Sequence, residues 1–296
     1  MKVVFNCTAY KFHREYCDDI AEEISNRGNE VIFAEGDLNQ GNYEADFCIQ
    51  PDQIHKRLGA RIGIWINHAM PVIPQNRFYY EDKFKNSLKR NSDYIFTFSE
   101  AWKQWHEMYG LPTYSVGMPK LDKYFNNIDG GNILYAPTHH LKPGVYSKEG
   151  INLDKLKKYG NIIFRGHPAF NPHQETSMES LRKASIVISD YSSMGLEAII
   201  LNIPTILVGH KIWRSVRADH ISAKAEEAAI RVYNQFWLEK AIEIYLDNPK
   251  HLEEERLKYS KLLCEYQGIA SKKFVDTLEE ILIMYPSHYN QPLEKF

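Results

Sequence analysis

Short apolar runs recur along this chain, each bounded by polar or turn-forming residues and most followed by a stretch with helical spacing. Val3–Asn6, Glu30–Ala34, Asp46–Ile49 and Ile62–Ile66 predict buried strands. Glu15–Arg27 puts Ile20, Ala21 and Ile24 on one face and stops at Gly28, which predicts a helix with a glycine terminator. Glu81–Arg90 is amphipathic, Asp93–Phe98 predicts a strand, Glu100–Tyr109 a helix and Thr113–Val116 a strand. Apolar strands that alternate with helices predict a parallel sheet covered on both faces.

Asn126–Gly131, Asn-Asn-Ile-Asp-Gly-Gly, predicts a linker, and after it the pattern restarts. Asn132–Tyr135, Asn161–Phe164, Ser185–Ser189 and Pro204–Val208 predict strands; Leu153–Tyr159, Met178–Lys183 and Ser192–Leu201 predict helices. From Ala223 to Met284 the chain is expected to be mostly helical, broken at Asn248-Pro249. The fold class is therefore α/β: two facing Rossmann-like domains, 1–127 and 128–296, the second carrying a helical C-terminal tail. Open α/β sheets bind ligands at the carboxyl ends of their strands, so two facing sheets would enclose a cleft.

The length of 296 residues suits two such domains. A formal net charge of −2 gives no bulk attraction to nucleic acid or to anionic membranes. The local basic runs His210–Arg217 and Lys83–Arg90 fit solvated faces first and phosphate grips second. Cys7, Cys17, Cys48 and Cys264 form no Cys-x-x-Cys, which argues against a zinc or redox motif and for a reducing, cytoplasmic setting. The apolar run at Met1–Asn6 is too short for a secretion signal, and no window reaches the length of a membrane span.

Five polar clusters each follow a predicted strand. Ser192 and Ser193 stand where a helix should begin, and a helix start presents free N–H groups and a positive dipole end. Glu197 follows about one turn later. A phosphate at the serines and a ribose beside the carboxylate would fit a nucleotide-activated donor; an ordinary capped helix that binds nothing has the same signature. His68, at the end of Ile62–Ile66, fits a general base because imidazole titrates near neutrality, or simply caps the strand. Pro137 ends a strand and directs Thr138, His139 and His140 above the sheet; adjacent histidines do not chelate, so no metal site is assigned. Arg165 and His167 flank Gly166 and offer donors to a phosphate, or form a structural turn. Lys120 and Asp122 follow the Gly117–Pro119 turn near the domain junction and, as structure alone, predict a surface ion pair.

Together these segments resemble the CDP-glycerol glycerophosphotransferase family of teichoic acid polymerases and primases, whose fold is GT-B. Trp65-Ile66-Asn67-His68-Ala69 resembles that family's Trp-His-Gly, and Gly117-Met118-Pro119-Lys120-Leu121-Asp122 its Gly-x-Pro-Arg-x-Asp. Tyr135-Ala136-Pro137-Thr138 is similar to Tyr-Ala-Pro-Thr, Arg165-Gly166-His167-Pro168 to Arg-x-His, and Ser189-Asp190-Tyr191-Ser192-Ser193 to Thr-Asp-Tyr-Ser-Ser. The resemblance runs in order from about residue 62 to 208. It implies that His68 is the base and that His167, Ser192 and Ser193 hold the donor phosphates, with Thr138, Arg165, Ser189 and Tyr191 on the same donor side. Lys120 stands where the family has arginine, and the lysine usual shortly after Trp-His-Gly is absent. Leu196-Glu197-Ala198 is more similar to the wider GT-B group, including sugar-nucleotide transferases and UDP-N-acetylglucosamine 2-epimerases, in which a glutamate here binds the ribose.

The expected activity is transfer of a glycosyl or glycerol-phosphate group from a nucleotide-diphosphate donor, such as a UDP-sugar or CDP-glycerol, to an acceptor hydroxyl. The donor is a substrate, and no separate cofactor is expected. No Asp-x-Asp occurs, so the sequence does not call for a divalent metal at the diphosphate. The acceptor would be a polyol phosphate, a glycan, or hydroxymethylcytosine in duplex DNA, as for bacteriophage DNA glycosyltransferases. Lys211, Arg214 and Arg217 are the candidate grip on its phosphates. A sugar-nucleotide epimerase, which needs no acceptor, is the alternative class.

Overall fold

The computed structural model describes residues 1–7, 11–34, 41–51, 56–67, 82–137, 151–166, 175–190, 192–209 and 220–285. Six strands build the first sheet: β1 (Lys2–Phe5), β2 (Glu30–Phe33), β3 (Phe47–Pro51), β4 (Ile62–Ile66), β5 (Tyr94–Thr97) and β6 (Thr113–Ser115). Their order is β2-β1-β3-β4-β5-β6, with every neighbouring pair parallel. Helices α1 (Lys11–Asn26), α2 (Asp82–Asn91) and α3 (Glu100–His106) return the chain between strands. The alternation of side chains along each strand sorts them between two faces. Val3, Phe5, Phe47 and Ile49 fall on one side with Ile20 and Ile24 of α1, while Val4 and Cys48 fall on the other.

Five strands build the second sheet: β7 (Asn132–Ala136), β8 (Asn161–Phe164), β9 (Ala184–Ser189), β10 (Thr205–Val208) and β11 (Ile230–Val232), ordered β11-β10-β9-β7-β8 and again parallel. Its helices are α4 (Ser177–Arg182), α5 (Ser193–Ile200), α6 (Ile221–Lys224), α7 (Gln235–Asp247) and α8 (Glu253–Leu263); α9 (Ala270–Met284) follows. Ile133, Tyr135, Ile186 and Ile188 pack under Leu238 and Ile242 of α7. Leu134, Val187 and Leu207 face the other way and join Leu196 of α5 in the same cluster as Phe5, Ile20 and Phe274. One apolar core thus runs through both halves.

Three expectations are revised. Residues Ile230–Val232, expected within a helical tail, form the edge strand β11; three residues of apolar-polar-apolar sequence are too short to register as a pattern. Leu153–Tyr159 winds as a 3-10 helix, started by Asn152, whose side chain accepts from the N–H groups of Asp154 and Lys155. The tail also divides between the halves. α7 stays on the second sheet, but α9 returns to α1, where Arg27 pairs with Asp276 (2.8 Å) and Glu279 (2.9 Å). A boundary at 127/128 separates the two sheets, yet the last helix lies on the first half.

The crossing back is fastened to the ends of β5 and β6. Ser99 Oγ donates to Leu262 O (2.6 Å), Trp102 Nε1 to Leu263 O (3.1 Å), and Ser115 Oγ to Glu265 Oε2 (2.5 Å). The turn after β6 completes the seam. Asp122 accepts from Ala270 N (2.9 Å) and Ser271 N (2.7 Å), so a carboxylate distant in sequence satisfies two free N–H groups at the start of α9. Gly117 takes φ +81°, and a Cβ there would lie 2.4 Å from Glu265 O and 2.7 Å from the Ala270 Cβ. Gly28 has φ +74° with open space around it. G28A should therefore cost about 1 kcal/mol in urea unfolding, from backbone conformation alone. G117A should cost at least about 1–2 kcal/mol more, from overlap. Equal losses in the two variants would refute the close approach.

Candidate functional site

The site begins where β9 runs out. Ser189 is fully buried, and its Oγ donates to Ala136 O (2.8 Å), tying the end of β9 to the end of β7. Asp190 Oδ1 then accepts from Ser192 N (3.2 Å), which bends the chain toward α5. Ser192 is the N-cap, with φ −70° and ψ 147°, and its Oγ accepts from Met194 N (3.3 Å). After these short polar residues the sequence turns apolar. Leu196, Ala198, Ile199 and Ile200 are all buried and hold the helix down. Gly195 lets it lie close, since a Cβ there would come within 3.2 Å of Leu207 Cδ2 and 3.4 Å of Ser189 Cβ. The positive end of α5 thus opens at the carboxyl edge of the second sheet, with Ser192 and Ser193 half-buried at its mouth.

Glu197 lies one turn into α5 and is 1% exposed. Its Oε1 accepts from Lys120 Nζ at 2.7 Å, while its Oε2 is buried and has no hydrogen-bond partner among the described residues. Lys120 is itself 7% exposed and comes from the 3-10 helix Pro119–Tyr124, just after the first sheet. The expected surface pair between Lys120 and Asp122 is therefore corrected. Both side chains are taken by other partners, Lys120 by α5 and Asp122 by α9, because each meets a group that burial leaves in need of one.

Arg165 follows β8 directly. Its backbone N–H donates to Tyr135 O (2.9 Å), and its Nη1 donates to Ser180 Oγ (3.0 Å) and Glu175 O (3.2 Å) at α4. Its Nε is buried without a partner among the described residues. Burial draws the guanidinium pKa down, and the nearby carboxylates of Glu15, Glu175 and Glu197 oppose that shift. Arg165 is thus a buried cation with one nitrogen already committed to the start of α4.

Two contacts that the sequence did not suggest also join the halves. Glu15 Oε2 on α1 accepts from Ser177 N (3.2 Å) and Ser177 Oγ (3.1 Å) at the start of α4. Tyr124 Oη donates to Glu179 Oε1 (3.1 Å). Neither has a local signal, since each partner lies more than fifty residues away. Asn67, at the end of β4, is also pinned: its Nδ2 lies 3.0 Å from His106 Nε2, both residues are buried, and Trp65 meets the His106 ring edge-on. His68, Thr138, His167, Tyr191, Lys211, Arg214 and Arg217 lie outside the described residues.

The four cysteines are buried free thiols, and burial pushes those of Cys48 and Cys264 up to about 12, so they act as core residues. Among the described residues no group of three or more His, Cys, Asp or Glu could hold a metal ion, and no helix is long and apolar enough to cross a membrane.

No protein-family model matches the chain, and no curated protein matches it by sequence. Solved structures do match. The wall teichoic acid polymerase TagF aligns with TM-score 0.72 at 15% identity, over 97% of this chain and 90% of that one. A TagF variant soaked with CDPG aligns at 0.68 and 14%, over 97% and 90%. A putative UDP-N-acetylglucosamine 2-epimerase from Listeria monocytogenes aligns at 0.62 and 11%, over 96% and 97%. The spinosyn forosaminyltransferase SpnP aligns at 0.54 and 11%, over 96% and 99%. The chain has the GT-B fold: two parallel α/β sheets with a helical C-terminal stretch.

The buried pair makes a stability prediction. K120M leaves an uncompensated carboxylate and should cost about 3–5 kcal/mol in urea unfolding. The double variant K120M/E197Q removes both charges and should recover most of that loss. A single variant as stable as the parent would refute the ion pair.

Proposed function

We propose that this chain is a GT-B transferase that moves a glycosyl or glycerol-phosphate group from a nucleoside-diphosphate donor to an acceptor hydroxyl. The observation that carries the proposal is the capped start of α5 at the edge of the second sheet, with a buried carboxylate one turn inside it. Such a helix start favours a phosphate, and an acidic group one turn on favours the hydroxyls of a ribose. The fold shared with TagF and SpnP supports the class.

In this mechanism the donor lies over the second sheet. Its phosphates meet the N–H groups and hydroxyls of Ser192 and Ser193, and His167 is assigned to the same phosphates. His68 accepts the proton of the acceptor hydroxyl as its oxygen attacks the transferred group. The bond from that group to the nucleotide breaks, and the nucleotide leaves carrying the bonding pair: a nucleoside diphosphate after glycosyl transfer, a nucleoside monophosphate after glycerol-phosphate transfer. The helix start offsets the negative charge that builds on the leaving group, and water exclusion between the two halves protects the donor from hydrolysis. Lys211, Arg214 and Arg217 are assigned to acceptor phosphates.

Thermal-shift measurements with UDP, CDP, GDP and their sugar or glycerol conjugates test the donor site, because a ligand of the native state raises Tm. Replacing both Ser192 and Ser193 with alanine should weaken binding of the active nucleotide about tenfold. H68A should cut turnover by about a hundredfold or more, with donor affinity nearly unchanged. Full turnover in H68A would remove the base assignment. Product formed from donor alone, with no acceptor present, would favour the epimerase class.

A further inference from the structure

We infer that Lys120, delivered by the first half of the molecule, is the positioning residue that aims Glu197 at the ribose of the bound nucleotide; this rests on the donor site proposed above. The two oxygens of Glu197 are in different situations. Oε1 is held by Lys120 Nζ at 2.7 Å, and Oε2 is buried with no partner. A buried carboxylate oxygen strongly favours a donor, and Oε2 has none among the described residues. A ligand hydroxyl is a donor of the right chemistry. Glu197 and Ser193 are four residues apart and share one face of α5, with a rise of about 6 Å between them. A nucleotide whose phosphate sits at the serines can therefore present its sugar hydroxyls to Oε2.

Lysine suits this role because it reaches one oxygen as a compact charge and leaves the other open. It fixes the carboxylate orientation and offsets the charge of Glu197 beside an anionic ligand. Lys120 comes from the turn that also carries Gly117 and Asp122, so its position is set by the seam with α9. It touches Glu197, and its effect on the ligand passes through that residue.

The test compares binding of UDP, CDP and GDP with that of their 2′,3′-dideoxy counterparts, by titration calorimetry, in the full chain and its variants. The parent should bind one of the ribonucleotides at least about tenfold more tightly than its dideoxy form, the worth of a hydrogen bond to a charged acceptor. K120M should lose most of that preference while keeping its affinity for the dideoxy form. K120Q, which keeps an N–H donor without the charge, should fall between the parent and K120M and serves if K120M does not fold. In an E197Q background, K120M should change the preference no further. Undiminished ribose preference in K120M or K120Q would overturn the role of Lys120 while leaving the donor site intact. Absence of binding by all three ribonucleotides in the parent would overturn the donor site and this inference with it.

Discussion

A buried ion pair between Lys120 and Glu197 joins the two halves of this molecule, and the geometry of the candidate site follows from it. Taking both charges out of water is costly, and their attraction does little more than offset that cost. The pair is therefore a poor source of net stability but a strong selector of arrangement. Sliding the first half away from the second would strand a carboxylate and an ammonium in the interior. Glu15 on Ser177 and Tyr124 on Glu179 add hydrogen bonds to carboxylates at the same boundary, so α4, α5 and the 3-10 helix after β6 are held together.

The same turn is fixed from behind. Asp122 caps α9, Gly117 lies against Glu265 O, and Glu265 in turn accepts from Ser115. The chain leaves the first sheet, builds the second, then returns to lock the exit point with its own last helix. This explains why a sequence division at residue 127/128 locates the sheets but not the packing units: connectivity and burial part company at α9, whose apolar face fits α1 rather than the sheet before it.

Much of the architecture was legible because parallel strands covered on both sides are apolar without interruption. Ile62–Ile66 and Asn161–Phe164 have the boundaries that their composition suggests. Ser192 as a cap was legible for a local reason as well, since its hydroxyl acts on an N–H two residues away. Lys120 was not. Its sequence neighbour Asp122 offers an obvious partner, and nothing local says that each would instead satisfy a group contributed by a distant segment. The one available signal was the similarity of Gly117–Asp122 to a Gly-x-Pro-Arg-x-Asp turn, which places a cation at 120 without naming what it faces. β11 escaped because three residues carry no period, and His106 because its partner Asn67 is thirty-nine residues earlier.

A carboxylate one turn from the proposed phosphate site is, by itself, an electrostatic contradiction. At separations of a few ångströms a negative group repels the ligand that the helix start attracts. The placement becomes consistent once the cation is included. Lys120 offsets the charge of Glu197 on the side away from Oε2. The field at the mouth of α5 can then remain favourable to an anion, while a hydrogen-bond acceptor survives a short distance inside. In the proposed site a cation on α5 itself would be drawn to the phosphates, so a lysine from outside the helix separates the two functions. That requirement gives the first half a part in shaping a site whose serines and carboxylate all belong to the second.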